Sequence, residues 1–391
     1  MLKLFLSSVL RAIYLWLAAG VSPWTQGRKP IGTLLVIVAW PAFCVLQLLH
    51  WIGFGLDELF FRGWRNVEVE QPLFVLGPPR SGTTHLHHVL SADAQTTTFR
   101  TWECLFGLSI TARKLLLALG RIDRWVGRPL ERLGGAVSRR LLSDMEEVHP
   151  FSMDAPEEDF LALMPAMQCF ILVAVFPRAE WLWRNARLDQ QAGPTQRRRL
   201  MRYYKACVQK HMYVFGRDKR FLSKNASFSG MPEALLETFP GARIMACTRD
   251  PKKTVPSQMS SLLPGLAAVG FESVDTHLRD RLMALLKFYY LHLDRVAAEY
   301  PRRVVIIDNQ RLRDDLAAVL QKAYRQLDLN MSEQFSGFLQ QADRRSRGFE
   351  SGHRYTLEAF GLTEADIENF FSEVYRRQSF QSGSARQASA S

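Results

Sequence analysis

Four short apolar runs punctuate the chain, at residues 73–76, 220–223, 243–248 and 303–308, and each is followed by a segment with helical spacing, at 83–90, 231–238, 252–262 and 311–327 respectively. Short apolar runs bounded by turn residues predict strands buried on both faces, and a 3.6-residue period predicts helices. Strands that alternate with helices pair in parallel through right-handed crossovers. The expected fold class is therefore α/β, a P-loop-type parallel β-sheet flanked by helices.

Between the first strand and residue 220 the pattern is helical instead, with apolar spacing at 111–119, 130–142, 157–173 and 197–215. This predicts a large helical insertion that forms a cleft, with Phe151, Phe160, Met164, Met167 and Phe170 as candidate apolar wall or plain core.

The N-terminus follows neither pattern. Residues 31–56 hold no Asp, Glu, Lys or Arg, and a helix needs about 20 apolar residues to cross a bilayer. The stretch lies too far from the N-terminus, with no cleavage site after it, for an ordinary secretory signal. An embedded or spanning N-terminal hydrophobic helical segment is expected, although Pro41 and His50 would also suit a buried helix of a large domain. Upstream, Lys3, Ser7 and Arg11 form one polar stripe on an otherwise apolar helix, the pattern of a helix lying in the membrane interface. Lys3, Arg11, Arg28 and Lys29 precede the apolar run and only Arg62 and Arg65 closely follow it, so the positive-inside rule favours a cytoplasmic N-terminus. A single span would place the rest of the chain outside, whereas a half-embedded hairpin would return it to the cytoplasm. The expected division is 1–56 membrane-associated, 57–378 an α/β domain, and 379–391 a disordered tail rich in Ser, Gln and Ala.

Composition narrows the partners. The chain has 391 residues, 47% of them hydrophobic, which is enough to bury a sizeable core. Its formal charge of +12 suits nucleic acid, an acidic membrane or a polyanionic small substrate. No aromatic ladder is interleaved with the basic residues, which argues against nucleic acid. The five cysteines are scattered and odd in number, so neither a zinc cluster nor a disulfide framework is expected. Each reads as a small core residue.

Two segments carry chemistry. Gly77-Pro78-Pro79-Arg80-Ser81-Gly82-Thr83-Thr84 has the G-x4-G spacing of a phosphate loop between a strand and a helix, where backbone N–H groups and the helix N-terminus can hold an anion. The position of the nucleotide-triphosphate lysine is Thr83, and the cation sits inside the loop as Arg80. That disfavours Mg-ATP or Mg-GTP chemistry. Further on, the 243–248 run ends in Arg249-Asp250-Pro251, with Ser257 eight residues after the arginine. A strand-end Arg and a Ser on the next helix can converge on one phosphate.

Pro78-Pro79-Arg80-Ser81-Gly82-Thr83-Thr84 resembles the 5′-phosphosulfate loop of the sulfotransferase family, and Arg249-Asp250-Pro251 with Ser257 is similar to that family's 3′-phosphate site. The similarity runs from about residue 56 to 375 and includes Leu56 to Phe61, His149 with Glu157-Glu158-Asp159, residues 304–312, His353-Arg354-Tyr355 and Phe360-Gly361-Leu362, in the manner of a membrane-proximal branch. The basic segment 344–348 is loosely similar to the loop that closes over the adenine and 3′-phosphate. The resemblance implies 3′-phosphoadenosine-5′-phosphosulfate (PAPS) as sulfuryl donor and no metal. It implies donor contacts at Arg80, Ser81, Gly82, Thr83, Thr84, Lys224, Arg249 and Ser257. Arg80 would also stabilise the leaving oxygen.

One family feature is missing. Many members carry Lys-x-His after the second strand, the His serving as general base, whereas this chain reads Lys224-Asn225-Ala226. A positioned base is worth about 10²- to 10⁴-fold to a hydroxyl nucleophile, so another residue should supply it. Glu157 and Glu158 come first as candidates, His149 second, and His85, His87 and His88 third, with His88 expected to pack under its helix. Carboxylates at a helix start also read as partners of the helix dipole. The expected function is sulfuryl transfer to a hydroxyl-bearing small-molecule or lipid acceptor at a membrane, without nucleic acid. A non-catalytic membrane-anchored nucleotide-binding relative and a P-loop kinase are the alternatives. Neither the acceptor's identity nor the oligomeric state is written in the sequence.

Overall fold

The computed structural model describes residues 1–21, 27–129, 132, 153–346, 356–378 and 380. Its centre is a five-stranded parallel sheet in the order β2-β3-β1-β4-β5, formed by β1 Leu73–Leu76, β2 Thr96–Thr97, β3 Arg220–Lys224, β4 Arg243–Thr248 and β5 Val304–Asp308. Val75 lies opposite Lys224 on one side and Met245 on the other, and Cys247 lies opposite Ile307.

All four β1 side chains are buried, because alternate residues feed two different cores. Phe74, Leu76, Phe221, Ile244 and Ala246 face a cluster with the Pro194–Phe215 and Pro232–Thr238 helices. Leu73, Val75, Leu222, Met245 and Cys247 face the opposite layer, with Leu86 and Leu90 of the Thr83–Ser91 helix and Leu320 and Tyr324 of the Leu316–Gln326 helix. This is the two-sided burial of a parallel sheet that helices cover on both faces. Four cysteines are buried as expected, and Cys44 is half-buried.

Some predicted helices differ. The segment 157–173 forms two short 3₁₀ turns, Asp159–Leu163 and Phe170–Ala174, rather than one helix. Its apolar residues are divided between two cores, Ala162, Leu163, Ala166 and Cys169 in one and Met167, Leu172 and Val173 in the other, so no single helical stripe exists to bury. The expected 311–327 helix is interrupted: Asn309–Asp314 ends and Leu316–Gln326 restarts on Asp315, whose side chain accepts from the Ala318 N–H. Apart from residue 132, the 130–142 helix falls outside the described residues. A 24-residue helix, Thr276–Glu299, lies between the last two strands, with side chains in three separate clusters.

At the N-terminus, Leu2–Ala18 and Pro30–Phe60 are helices, and the second is long and apolar enough to cross a membrane by length and composition. Its far end is fastened by Asp57, which is fully buried. The carboxylate accepts from the Ile110 and Thr111 N–H groups at 2.9 and 2.8 Å, from the Thr111 hydroxyl at 2.8 Å, and from Lys210 Nζ at 2.8 Å. Both partners of this ion pair have no exposed side-chain surface. Lys210 also stands 4.2 Å from the Trp64 ring centroid. Burial lowers the Lys210 pKa, which the neighbouring carboxylate opposes.

Removing one partner of a buried pair leaves an uncompensated charge, a loss of about 3–5 kcal/mol. Asp57→Asn should lower unfolding stability by that amount in a denaturant titration. A loss below about 1 kcal/mol, the range of exposed pairs, would show that this carboxylate does not fasten the helix.

Candidate active site

The loop after β1 is held in a backbone path that few residues can follow. Gly77 has φ +144°, and a Cβ there would lie 2.2 Å from the Cys247 carbonyl oxygen of β4. Gly82 has φ +93°, and its Cβ would meet Asn309 Oδ1 at 2.3 Å. Between them Arg80 adopts φ +67°, the left-handed region that costs a non-glycine residue about 1–3 kcal/mol. The Thr83–Ser91 helix then begins without a side-chain cap, so its first N–H groups are available to an anion.

Cations converge on this loop from several strand ends. Arg249, after β4, donates from Nη1 to the Arg80 carbonyl oxygen at 3.2 Å, and Arg80 Nε donates to Ser257 Oγ at 3.0 Å. Burial, followed by repulsion from Arg313 and Arg80, lowers the Arg249 pKa. Ser81 is buried with its hydroxyl unpartnered among the described residues. Three mutually repelling guanidinium groups and an unsatisfied hydroxyl fit a bound polyanion.

The loop opens into a cavity of about 1320 Å³. Its polar lining includes Arg80, Gly82, Thr83, Thr84, Lys224, Arg249 and Ser257, together with Glu158. Lys224 Nζ donates to Glu158 Oε1. The apolar wall includes Phe160, Phe170, Val173, Leu282 and Leu285. Of the other residues expected to line it, Met164 and Met167 pack into the cores, and Phe151 lies outside the described residues.

The base candidates separate clearly. Glu158 is on the cavity wall, whereas Glu157 is tied away from it, accepting from Thr101 Oγ1 at 3.0 Å and the Glu158 N–H at 2.9 Å. His149 lies outside the described residues, as do 347–348 of the basic segment and His353 to Tyr355. His85 lines the cavity; its pKa is lowered by burial and then by Arg313. The expectation that His88 packs under the helix is corrected: His87 is the buried one, bonded to Thr98 Oγ1 at 2.9 Å, and His88 is exposed. Position 87 shares the inward face with Thr83 and Leu90, four before and three after. Burial holds the His87 pKa well below the ordinary value.

Sequence reasoning missed Arg313, Asn309, Lys252 and Lys253, all on the cavity wall. Asn309 and Arg313 follow β5 as Arg249 follows β4, so the strand-end rule applied to the last strand would have found them. A cluster elsewhere, Asp189, Glu233 and His292, has metal-ligand residue types. Asp189 is occupied in capping the Pro232–Thr238 helix, accepting from the Glu233 and Ala234 N–H groups at 2.8 and 3.0 Å.

A parallel sheet carrying such a loop at its carboxyl edge defines a phosphate-binding α/β architecture, and comparison with known proteins assigns the family. The chain belongs to the sulfotransferase family, whose model matches residues 72–333, and it is an enzyme of sulfuryl transfer. It is 26% identical over 290 residues to the omega-hydroxy-beta-dihydromenaquinone-9 sulfotransferase Stf3 of Mycobacterium bovis and equally to that of Mycobacterium tuberculosis, over 70% of this chain and 68% of those proteins. Sulfotransferase STF9 from Mycobacterium avium shares the fold with a TM-score of 0.71 at 18% identity, covering 97% of this chain and 96% of that one. Sulfotransferase STF1 from Mycobacterium tuberculosis does so at 0.68 and 19%, covering 94% and 93%.

Beneath Glu158, Asp159 is fully buried and accepts from the Tyr204 hydroxyl. Burial raises its pKa to about 7, against the lowering effect of bonds from Tyr204, Ser223 and Asn225. A carboxyl whose folded pKa exceeds its unfolded value binds more protons when folded. Its contribution is fully present below about pH 4 and is lost as pH rises through about 7. Asp159→Asn should therefore gain stability relative to the parent between pH 4 and 7, as read from paired denaturation curves. A stability difference that does not change across this range would show that Asp159 ionises normally.

Proposed function

We propose that the enzyme transfers the sulfuryl group of PAPS to the hydroxyl of a lipophilic acceptor. One observation carries this reading: a single cavity is lined both by cations and an anion-ready loop and by an apolar wall, and a Lys–Glu pair stands among the lining residues.

The loop backbone from Arg80 to Thr84 and the buried Ser81 suit a 5′-phosphosulfate, and Arg249 with Ser257, supported by Arg313, suits the 3′-phosphate. The donor, when bound, supplies the sulfuryl group and a phosphate leaving group. Arg80 then faces charge that develops on the leaving oxygen as its bond to sulfur breaks, the point at which a fixed cation lowers the barrier most. Lys224 neutralises the sulfuryl oxygens. Glu158 is the only carboxylate among the described residues on the cavity wall, so it takes the hydroxyl proton as the acceptor oxygen bonds to sulfur. Thr83 at the lysine position of nucleotide-triphosphate loops disfavours a kinase.

The apolar wall fits the hydrocarbon part of the acceptor. The curated relatives are named for a hydroxylated menaquinone, a lipid alcohol, which supports the same class here. In this reading residues 1–56 associate with the membrane where such an acceptor resides, 57–378 hold the catalytic unit and 379–391 form a tail.

Calorimetry should show adenosine 3′,5′-bisphosphate binding without Mg²⁺ and more tightly than Mg-ATP. Tighter Mg-ATP binding would refute the donor assignment. Arg249→Ala should weaken the bisphosphate by about 2–5 kcal/mol, the cost of removing one partner from a desolvated charge pair. At saturating donor, Glu158→Gln should lower turnover by about 10²- to 10⁴-fold while Glu157→Gln stays near the parent rate. The opposite order would transfer the base role to Glu157.

A further inference from the structure

The Ile110–Trp125 helix is turned inside out. Its buried positions include Arg113, ion-paired to Glu103 at 2.8 Å, and Asp123. Its exposed positions include Leu115, Leu119, Ile122 and Trp125, the last 86% exposed. Residues 115, 119 and 122 are spaced by four and three, so they form one outward apolar stripe. The helix packs against Pro30–Phe60, whose own outward side carries Leu34, Leu35, Val38, Val45, Leu49 and Ile52, and that helix contacts Leu2–Ala18, with Leu2, Leu6, Leu10 and Leu17 exposed.

The long helix is fastened to the α/β body along its whole length. The Lys29 N–H donates to the Gly270 carbonyl at 2.7 Å, and Gly32 lies so close that a Cβ would be 2.5 Å from Gly270 Cα. The Trp40 ring packs on Phe176, His50 Nε2 pairs with the Leu105 carbonyl at 3.1 Å, and Asp57 closes the far end. Gly32 to Asp57 is about 38 Å at 1.5 Å per residue, longer than the ~30 Å hydrocarbon layer. A crossing helix would drag the charged body into lipid.

We propose that the helices Leu2–Ala18, Pro30–Phe60 and Ile110–Trp125 form one surface that sinks into a single leaflet of an anionic bilayer, with the long helix lying in the membrane plane. Charge complementarity selects the occupant. Residues 1–56 contain no Asp or Glu, and Lys3, Lys114, Arg121 and Arg124 are exposed on these helices. Such a surface attracts acidic headgroups and would set cation against cation across a pair of identical copies. The inference stands apart from the donor assignment, because its readout is binding rather than turnover.

The full chain should co-sediment with vesicles containing phosphatidylglycerol, and more weakly with phosphatidylcholine alone. The triple variant Leu115→Glu, Leu119→Glu, Ile122→Glu should lose at least tenfold in vesicle affinity with unchanged circular dichroism and melting temperature. Brominated-chain lipid should quench the parent more than Trp125→Phe, a change that keeps the fold independent of the triple variant's fate. With protein added to preformed vesicles, Lys29→Cys and Arg62→Cys should both react with a membrane-impermeant maleimide. Parent-like vesicle binding by the folded triple variant, or equal quenching with and without Trp125, would overturn the proposal. So would a dimer that the triple variant dissociates, since a second copy would then cover the face, and protection of one labelled end, which would mean that the helix crosses.

Discussion

Like charges crowded at one edge of the sheet are the constraint around which the molecule is arranged. Arg80 follows β1, Lys224 ends β3, Arg249 follows β4 and Arg313 follows β5, and all four reach one cavity. β1 sits between β3 and β4, so the chain runs to opposite sides of it, and the crevice at the strand ends is where an open parallel sheet binds ligands. Repulsion among these groups is tolerable because an anion is the expected occupant. The left-handed Arg80 and the two positive-φ glycines hold the loop in place against the Cys247 and Asn309 oxygens. Strain in the loop and charge at its mouth therefore serve the same end.

Four of the five strands were legible because two-sided burial writes them as short, largely apolar runs between turn residues, and their ends then located Arg80, Lys224 and Arg249; the edge strand β2, only Thr96–Thr97, has no apolar run and left no such signal. The weaker signals came from elements that touch more than one core. Thr276–Glu299 places Leu293 and Val296 in one cluster, Leu282 and Leu285 in another, and Met283 and Tyr290 in a third, so its apolar residues surround the helix and its stripe is blurred. The 157–173 segment lies between two cores and breaks into short turns, with Met167 at φ +51°. That break matters for the site. It points Glu158 toward Lys224 while Glu157 bonds to Thr101, a distinction that three consecutive carboxyl groups cannot show in sequence.

Asp159 belongs to the same small region and illustrates why residue type alone misleads. As the third acid in the row it resembles a partner for a helix dipole. It is instead buried beneath the site, held by the Tyr204 hydroxyl, with a pKa near neutrality. Burial fixes the order of roles along these three residues: one bonds outward to a neighbouring helix, one faces the cavity, and one is enclosed in the core.

The apolar wall of the cavity is also the inner surface of the layer on which the N-terminal helices rest. Val173, Leu266, Leu278, Leu282, Leu285 and Tyr289 line the cavity and share one buried cluster with Leu15, Val36 and Trp40. Because that cluster is continuous, a displacement of either N-terminal helix changes the packing behind the apolar wall of the cavity, as expected of interiors packed to near-crystal density. The Arg28 guanidinium adds a second tie, donating to the Val175 carbonyl and lying over the Phe271 ring. The hydrophobic N-terminus thus packs behind the apolar wall of the cavity, and the outward apolar face and the inward one are two sides of a single layer.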